Sequence, residues 1–325
     1  MKKLISFLVI ILLLGSFMIG TEAVAQDESV TIRLPWLKNV QFAGPIIAQE
    51  TGIYEDLGVN VEIEPGGGDV SSIPLVVGGE DDFGIHDTNS LIYARSEGMP
   101  LTATTTVFQR HPGGMFALEE SGIETPQDFV GKTLGYQEGG PWELTQAMLK
   151  YEGVSLDDIE TTTVPFDITP LLTGEIDIMF AYAVNEPIQA ELEGYDVNII
   201  LPYDYGIEAA SEALFTREDM IENNPELVEK VTHGTLKGWA YAIQNQEEAV
   251  EIVMDVNPDL DKEHQQNQLE AQIDYIFTED SLLNGIGYMS EEAWVAMQDV
   301  LLDVGDLDEP IDINEVFTTE FLPNK

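Results

Sequence analysis

The chain has 325 residues, 44% of them apolar, with 60 acidic against 13 basic side chains and a formal charge of −47. That length exceeds the usual span of one domain and supplies enough apolar residues for two cores, while a field of this sign repels nucleic acid and anionic lipid. The lack of any cysteine excludes disulfides, thiolate metal sites, a thiol nucleophile and a lipid-modified N-terminal cysteine.

Lys2 and Lys3 precede an apolar run from Leu4 to Ile19, and Ala23-Val24-Ala25 supplies the small residues that signal peptidase reads. The run is short of the roughly 20 residues a membrane span needs. Residues 1–25 are therefore expected to be a cleaved signal peptide, and the mature protein is expected to be periplasmic or secreted and not a lipoprotein. Its loss removes Lys2, Lys3 and Glu22, leaving 59 acidic and 11 basic residues, or −48. The acids are spread along the chain, the pattern of a solvated coat suited to high salt; a salt-loving source is expected.

Val30 to Leu34 reads as a strand that runs into a turn carrying Trp36 and Asn39, followed by a helix with Phe42, Ile46 and Ile47 at helical spacing. This puts a large flat side chain at the carboxyl end of a strand, where open α/β sheets bind ligands. Gly58 ends that helical stretch, and Val59, Val61 and Ile63 alternate as a half-buried strand. Pro65-Gly66-Gly67-Gly68 then turns. Its backbone N–H groups suit a ligand, which makes Gly67 a candidate contact, with a merely permissive turn as the competing reading.

Ser71 to Val77 is a short helix, Asp82 to His86 a brief strand, and Asp87-Thr88-Asn89-Ser90 a helix start. His86, Asp87 and Thr88 face the same sheet edge as Trp36. Leu101 to Phe108 is a threonine-rich strand, so the β-α-β-α-β alternation implies a largely parallel sheet. Gln109 to Gly114 reads either as a crossover or as a plain surface turn.

A second unit follows: a capped short helix at Thr125–Gly131, a strand from Lys132 to Tyr136, then Gly139-Gly140-Pro141-Trp142 opening a helix to Tyr151. Trp142 is a candidate second wall, or a packing residue. Thr161 to Pro165 is a strand, Asp167 to Thr173 a helix, and Gly174 to Tyr182 a strand ending at Asn185, Glu186 and Pro187. Tyr182, Asn185 and Glu186 thus converge on one edge, although Glu186 also fits a helix-dipole partner. After a strand at Val197–Leu201, Pro202 to Gly206 is expected to be a second crossover, which brings Tyr205 into the candidate set. Ala213 to Thr216 returns to the first sheet, and the rest is helical, with Trp294 and Met297 as core residues of a last helix.

The resulting fold class is α/β with two domains and two crossovers. Domain 1 is discontinuous (26–112 plus 210–325), domain 2 is residues 113–209, and the ligand cleft lies between them.

Six segments carry a resemblance: Trp36 to Asn39, Ala48 to Glu62, Gly79 to Ile85, Phe129 to Gly135, Gly174 to Asp177, and Asn224-Pro225 through Lys237 to Ala242. On these the chain resembles the NMT1/THI5-like solute-binding proteins that serve ABC importers, closest to the branch for thiamine pyrimidine precursors, with a flavin-binding branch nearby. The resemblance implies a type II periplasmic binding protein fold that closes on a small solute and presents it to a permease and its ATPase. It also implies ligand roles for Trp36 and Asn39, with Lys38 and Gln41 standing where the family has proline and histidine, and for Tyr182 and Glu186.

The residues themselves suit a flat heterocycle. Trp36 and Tyr182 could sandwich a ring, Glu186 could accept from a ring amino group, and Asn39 could donate and accept. A sulfonate or nitrate would want more positive charge than Lys38 and Arg110 offer near the cleft. Eukaryotic relatives that make the pyrimidine use a pyridoxal-phosphate lysine and a cysteine-rich motif, and the lack of cysteine argues against an enzyme here. No cofactor is expected. Nor is a metal, since His86, His111, His233 and His264 lack close ligand spacing. The chain is expected to act as a monomer.

Overall fold

The computed structural model describes residues 28–68, 70–137 and 142–323. The expected signal peptide at 1–25 and the Gly139-Gly140-Pro141 helix start lie outside the described residues.

Alternating and fully apolar segments assemble into two five-stranded sheets. The first has the order β2-β1-β3-β10-β4, with β1 Glu28–Arg33, β2 Val59–Glu64, β3 Phe83–His86, β4 Leu101–Phe108 and β10 Ser211–Arg217. β1 runs parallel to β2, with Val30 opposite Val61, and parallel to β3. β10 is antiparallel to both its neighbours. β4 is buried throughout. Its edge is closed by the C-terminal segment, where Ala103 N–H donates to Val316 O at 2.8 Å and Thr318 N–H donates to Ala103 O at 2.9 Å.

The second sheet has the order β7-β6-β8-β5-β9, with β5 Gly113–Leu118, β6 Thr133–Tyr136, β7 Glu160–Thr163, β8 Ile178–Tyr182 and β9 Val197–Ile200. Here β5 is the antiparallel member. In each sheet the parallel strands therefore deliver their carboxyl ends, and the antiparallel strand its amino end, to one edge. The two edges face each other across the interlobe contact.

The chain passes between the lobes twice, and the passages touch: His111 N–H donates to Ala209 O at 2.8 Å. Gln109 to Gly114 is thus a crossing and not a surface turn. Its glycines are sterically required, since a Cβ on Gly113 would lie 2.8 Å from the His111 ring and one on Gly114 2.8 Å from Ile200 O. The return differs from expectation. Pro202–Tyr205 forms a 3-10 turn that Gly206 ends at φ 86°, because proline at the first helical position favours a turn. Residues 207–210 make the crossing instead.

Helix Pro225–Gln244 packs on helix Ala43–Glu50 at a very close approach, in which a Cβ on Gly238 would sit 1.9 Å from Gly44 O. Trp294 stacks on Phe317 with ring centroids 5.2 Å apart, inside the core as its helical spacing indicates. Within the helical C-terminal region, Thr278 caps a short helix, Glu279–Asn284. Among the described residues no helix is long and apolar enough to cross a membrane.

Candidate ligand-binding site

β1 ends in the turn that holds Trp36, half-buried against the first core. Its ring meets Phe166 of the second lobe, with centroids 4.6 Å apart and planes tilted by 50°. Phe166 remains 50% exposed. The glycine turn lies beside this pair: Gly66 N–H donates to Trp36 O at 2.9 Å, and a Cβ on Gly68 would be 3.7 Å from Phe166. Gly67, between them, pairs with Val70 in an isolated bridge. The aromatic side chain of the second lobe that Trp36 meets is thus Phe166.

Asn39 is buried and acts locally, its Oδ1 accepting the Gln41 N–H at 2.8 Å as the cap of a 3-10 turn. That cap aims Gln41, whose Nε2 donates to Glu212 Oε1 at 2.8 Å. Glu212 sits near the amino end of β10 with φ 58°, the one non-glycine residue with positive φ among the described residues. Such a backbone costs on the order of 1–3 kcal/mol and persists where the surroundings over-determine it, commonly at ligand sites. Burial, reinforced by the charge of Asp87, pushes the Glu212 carboxyl well above the usual range, with the Gln41 bond opposing.

Asp87 follows β3 at the N-cap of helix Thr88–Ser96, yet its side chain makes no cap bond. It turns across the interface instead. Oδ2 accepts the Tyr182 hydroxyl at 2.8 Å, and Oδ1 accepts the Ser211 hydroxyl at 2.5 Å, with His111 Nε2 at 3.6 Å. Burial opposes charge on Asp87, but His111, then His86 and Ser211, outweigh it and keep the carboxyl below the usual range. Tyr182 is pushed well above 10 by burial and then by Asp87 and Glu212, so it remains a phenol that donates. His86 Nδ1 accepts the Asp87 N–H at 2.9 Å, and burial lowers its pKa. Thr88 is committed elsewhere, donating to Ala210 O at 2.7 Å and so tying the helix start to the return crossing.

Further contacts latch the lobes. Asn89 Nδ2 donates to Glu143 Oε1, and burial pushes Glu143 up to about 7. His264 Nε2 lies 3.1 Å from Asn185 O.

Glu186 does not offer a free carboxylate. Its Oε2 accepts Tyr182 N–H at 2.9 Å and its Oε1 accepts Asn185 Nδ2 at 3.0 Å, so Asn185 and Glu186 brace the β8–helix junction. Trp142 stacks on Tyr136 at 4.9 Å, an aromatic pair within the second lobe beside the end of β6. Tyr205 does not join the group. The Pro202–Tyr205 turn packs on helix Trp142–Tyr151, and burial, then Glu152, Asp204 and Asp128, raises the Tyr205 hydroxyl pKa.

The structure thus brings Trp36, Gly67, Asp87 and Tyr182 to the interlobe edge and adds Gln41, His111, Phe166, Ser211 and Glu212. Of these additions Gln41 had a sequence signal, its place where the resembled family has histidine, and so did His111, by its place in the proline–glycine crossing. Glu212 had none, because a positive φ at glutamate is not encoded by residue type. Among the described residues no group of His, Asp and Glu is arranged to hold a metal ion.

Comparison with known proteins agrees with this architecture. The chain is 27% identical over 305 residues to the riboflavin-binding protein RibY of Chloroflexus aurantiacus, covering 91% of this chain and 86% of that one. It is 24% identical over 327 residues to the formylaminopyrimidine-binding protein of Halalkalibacterium halodurans, covering 98% of each. A 4-amino-5-hydroxymethyl-2-methylpyrimidine phosphate synthase of Legionella pneumophila is 26% identical over 91% of this chain and 92% of its own. Among solved structures, the periplasmic aliphatic sulphonate binding protein SsuA of Escherichia coli superposes with a TM-score of 0.71 at 16% identity, covering 89% of this chain and 91% of that one. This likeness shows a shared periplasmic binding protein fold. The family model described as NMT1/THI5 like matches residues 39–249, more than half of the sequence, and the chain belongs to that family.

Proposed function

We propose that this protein is the extracytoplasmic substrate-binding component of an ABC importer, taking up a small nitrogen heterocycle of the thiamine-pyrimidine type and passing it to a permease and its ATPase. In this reading it works as a monomer, its first domain is 26–112 plus 210–325, its second is 113–209, and the two crossings form the hinge. The observation that carries it is the buried acidic group at the strand ends, Asp87 and Glu212 with Gln41 and Tyr182, next to an aromatic pair contributed by both lobes.

Such a group suits a ring bearing amino and ring-nitrogen positions. A protonated Glu212 can donate and accept at once, and Asp87 accepts from an N–H. A sulfonate or nitrate would meet two carboxyl groups here. Arg110 is turned to the Tyr203 ring at 4.4 Å, so an anion is the weaker choice. The names of the two binding relatives support a heterocycle, and the four aromatic rings around the edge, Trp36, Phe166, Tyr136 and Trp142, support riboflavin as the second reading.

Catalysis of the synthase type, suggested by one relative's name, would need a chemistry other than a cysteine-rich motif, because the chain has no cysteine. Thermal-shift and calorimetric titration of the mature chain in high salt against aminopyrimidines, riboflavin, taurine and nitrate test the reading. A heterocycle should raise Tm and bind one to one. Binding of taurine or nitrate alone would reverse it, and pyridoxal phosphate released on acid treatment would reopen the enzyme.

A further inference from the structure

His111 is 4% exposed and sits where the first crossing passes between the lobes, its ring 5.6 Å from that of Tyr182. Gly113 N–H donates to its Nδ1 at 2.9 Å. That nitrogen therefore carries no proton, and the ring N–H is on Nε2. Among the described residues Nε2 has no hydrogen-bond partner; Asp87 Oδ1 lies 3.6 Å away, beyond bonding range. Asp87 spends one acceptor site on Ser211 and one on Tyr182, which leaves a lone-pair position on each oxygen. A buried, committed donor beside a carboxylate with spare acceptor sites is half of a recognition pair, since buried polar atoms are otherwise satisfied in folded proteins.

We propose that His111 and Asp87 together read an adjacent acceptor–donor edge of the ligand, a ring nitrogen or carbonyl oxygen taken by Nε2–H beside an N–H or amino group taken by the carboxylate. This rests on the heterocycle-binding reading above and names the edge that is read. The two nitrogens of an amidine edge, joined through one carbon by bonds of about 1.33 Å, lie roughly 2.3 Å apart. Slightly diverging hydrogen bonds from such a pair reach protein atoms separated by 3.6 Å. A 4-aminopyrimidine presents this edge as an amidine and a flavin presents it as a lactam. A sulfonate, a nitrate or an aniline does not. His111 would then be a specificity-determining contact, with Gly113 fixing its tautomer.

The test compares the mature wild type with His111→Phe, using 4-amino-2-methylpyrimidine and 3-methylaniline, which keeps the amino group and outline but lacks the ring nitrogens. The variant should bind the pyrimidine about tenfold more weakly and the aniline within about twofold of wild type. A second readout does not depend on the variant folding. With four histidines in the chain, the side-chain ¹⁵N–¹H spectrum of the wild type should show the His111 Nε2–H proton moving downfield when aminopyrimidine or riboflavin binds, with Nδ1 unchanged. Equal weakening toward both probes, or an unmoved His111 N–H signal on binding, overturns this inference and leaves the heterocycle reading intact. Failure of the wild type to bind any heterocycle overturns both.

Discussion

The two ends of the interlobe contact are built by different physics. At one end Trp36 and Phe166 meet as half-exposed rings, each supplied by a single loop and held by dispersion and desolvation, which do not depend on pH. At the other, Asp87, Tyr182, Ser211, Glu212 and Gln41 converge from both lobes through buried, directional bonds, with His111 of the first crossing beside them. An aromatic end tolerates small shifts and gives area. An acidic end tolerates few, because each donor or acceptor left unpaired carries its full desolvation cost. Affinity should therefore come from both ends, and specificity, stability coupling and pH response from the acidic one.

The sharpest way to break the comparison is Asp87→Ala. It strands the Tyr182 and Ser211 hydroxyls, so denaturant unfolding should show a loss of about 2–4 kcal/mol, and calorimetry a loss of heterocycle affinity of more than about a hundredfold. Next comes Glu143, whose carboxyl is raised from 4.5 to about 7 by burial. A folded pKa above the unfolded one contributes stability that is complete below about pH 4.5 and lost as pH rises through about 7. Glu143→Gln keeps the Asn89 contact and should make the protein more stable than wild type near pH 8, by up to about 3 kcal/mol, with the difference vanishing near pH 4. Equal pH profiles would show that the carboxyl does not titrate between the lobes.

At the aromatic end, Trp36→Ala should weaken the ligand by about 2 kcal/mol, roughly thirtyfold, through lost stacking and burial, while circular dichroism keeps the folded spectrum. That loss should be the same at pH 5 and pH 8, in contrast to Glu143→Gln. The smallest effect belongs to Tyr205→Phe, which should change affinity and stability by less than about 0.5 kcal/mol, since the ring keeps its packing against the core. A larger change would return Tyr205 to the site.

Much of the fold was legible from local pattern. The alternation of β2, the glycine and proline stops and the helical spacing of Trp294 and Met297 depend on neighbours a few residues away, and the strands fall where those signals place them. The second crossing was not, because Pro202 and Gly206 mark a bend without saying whether the chain turns or departs. Trp36 was legible as an aromatic at a strand end. Its partner Phe166 was not, since that contact joins positions 130 residues apart in the sequence.

The charged centre shows the same division more strongly. Residue type and position alone placed Asp87 and Tyr182 at strand ends, and the lack of cysteine decided which chemistries are closed to the chain. Only the tertiary structure decided that Asp87 leaves its own helix uncapped to reach Tyr182, that the Glu186 carboxylate is taken up by Tyr182 N–H and the Asn185 amide, and that Glu212 takes a left-handed conformation to meet Gln41. Local propensity is set by neighbours in sequence. The protonation and aim of a buried polar group are set by what the fold packs around it, and at this site the bonded partners are 95, 124 and 171 residues apart in the sequence.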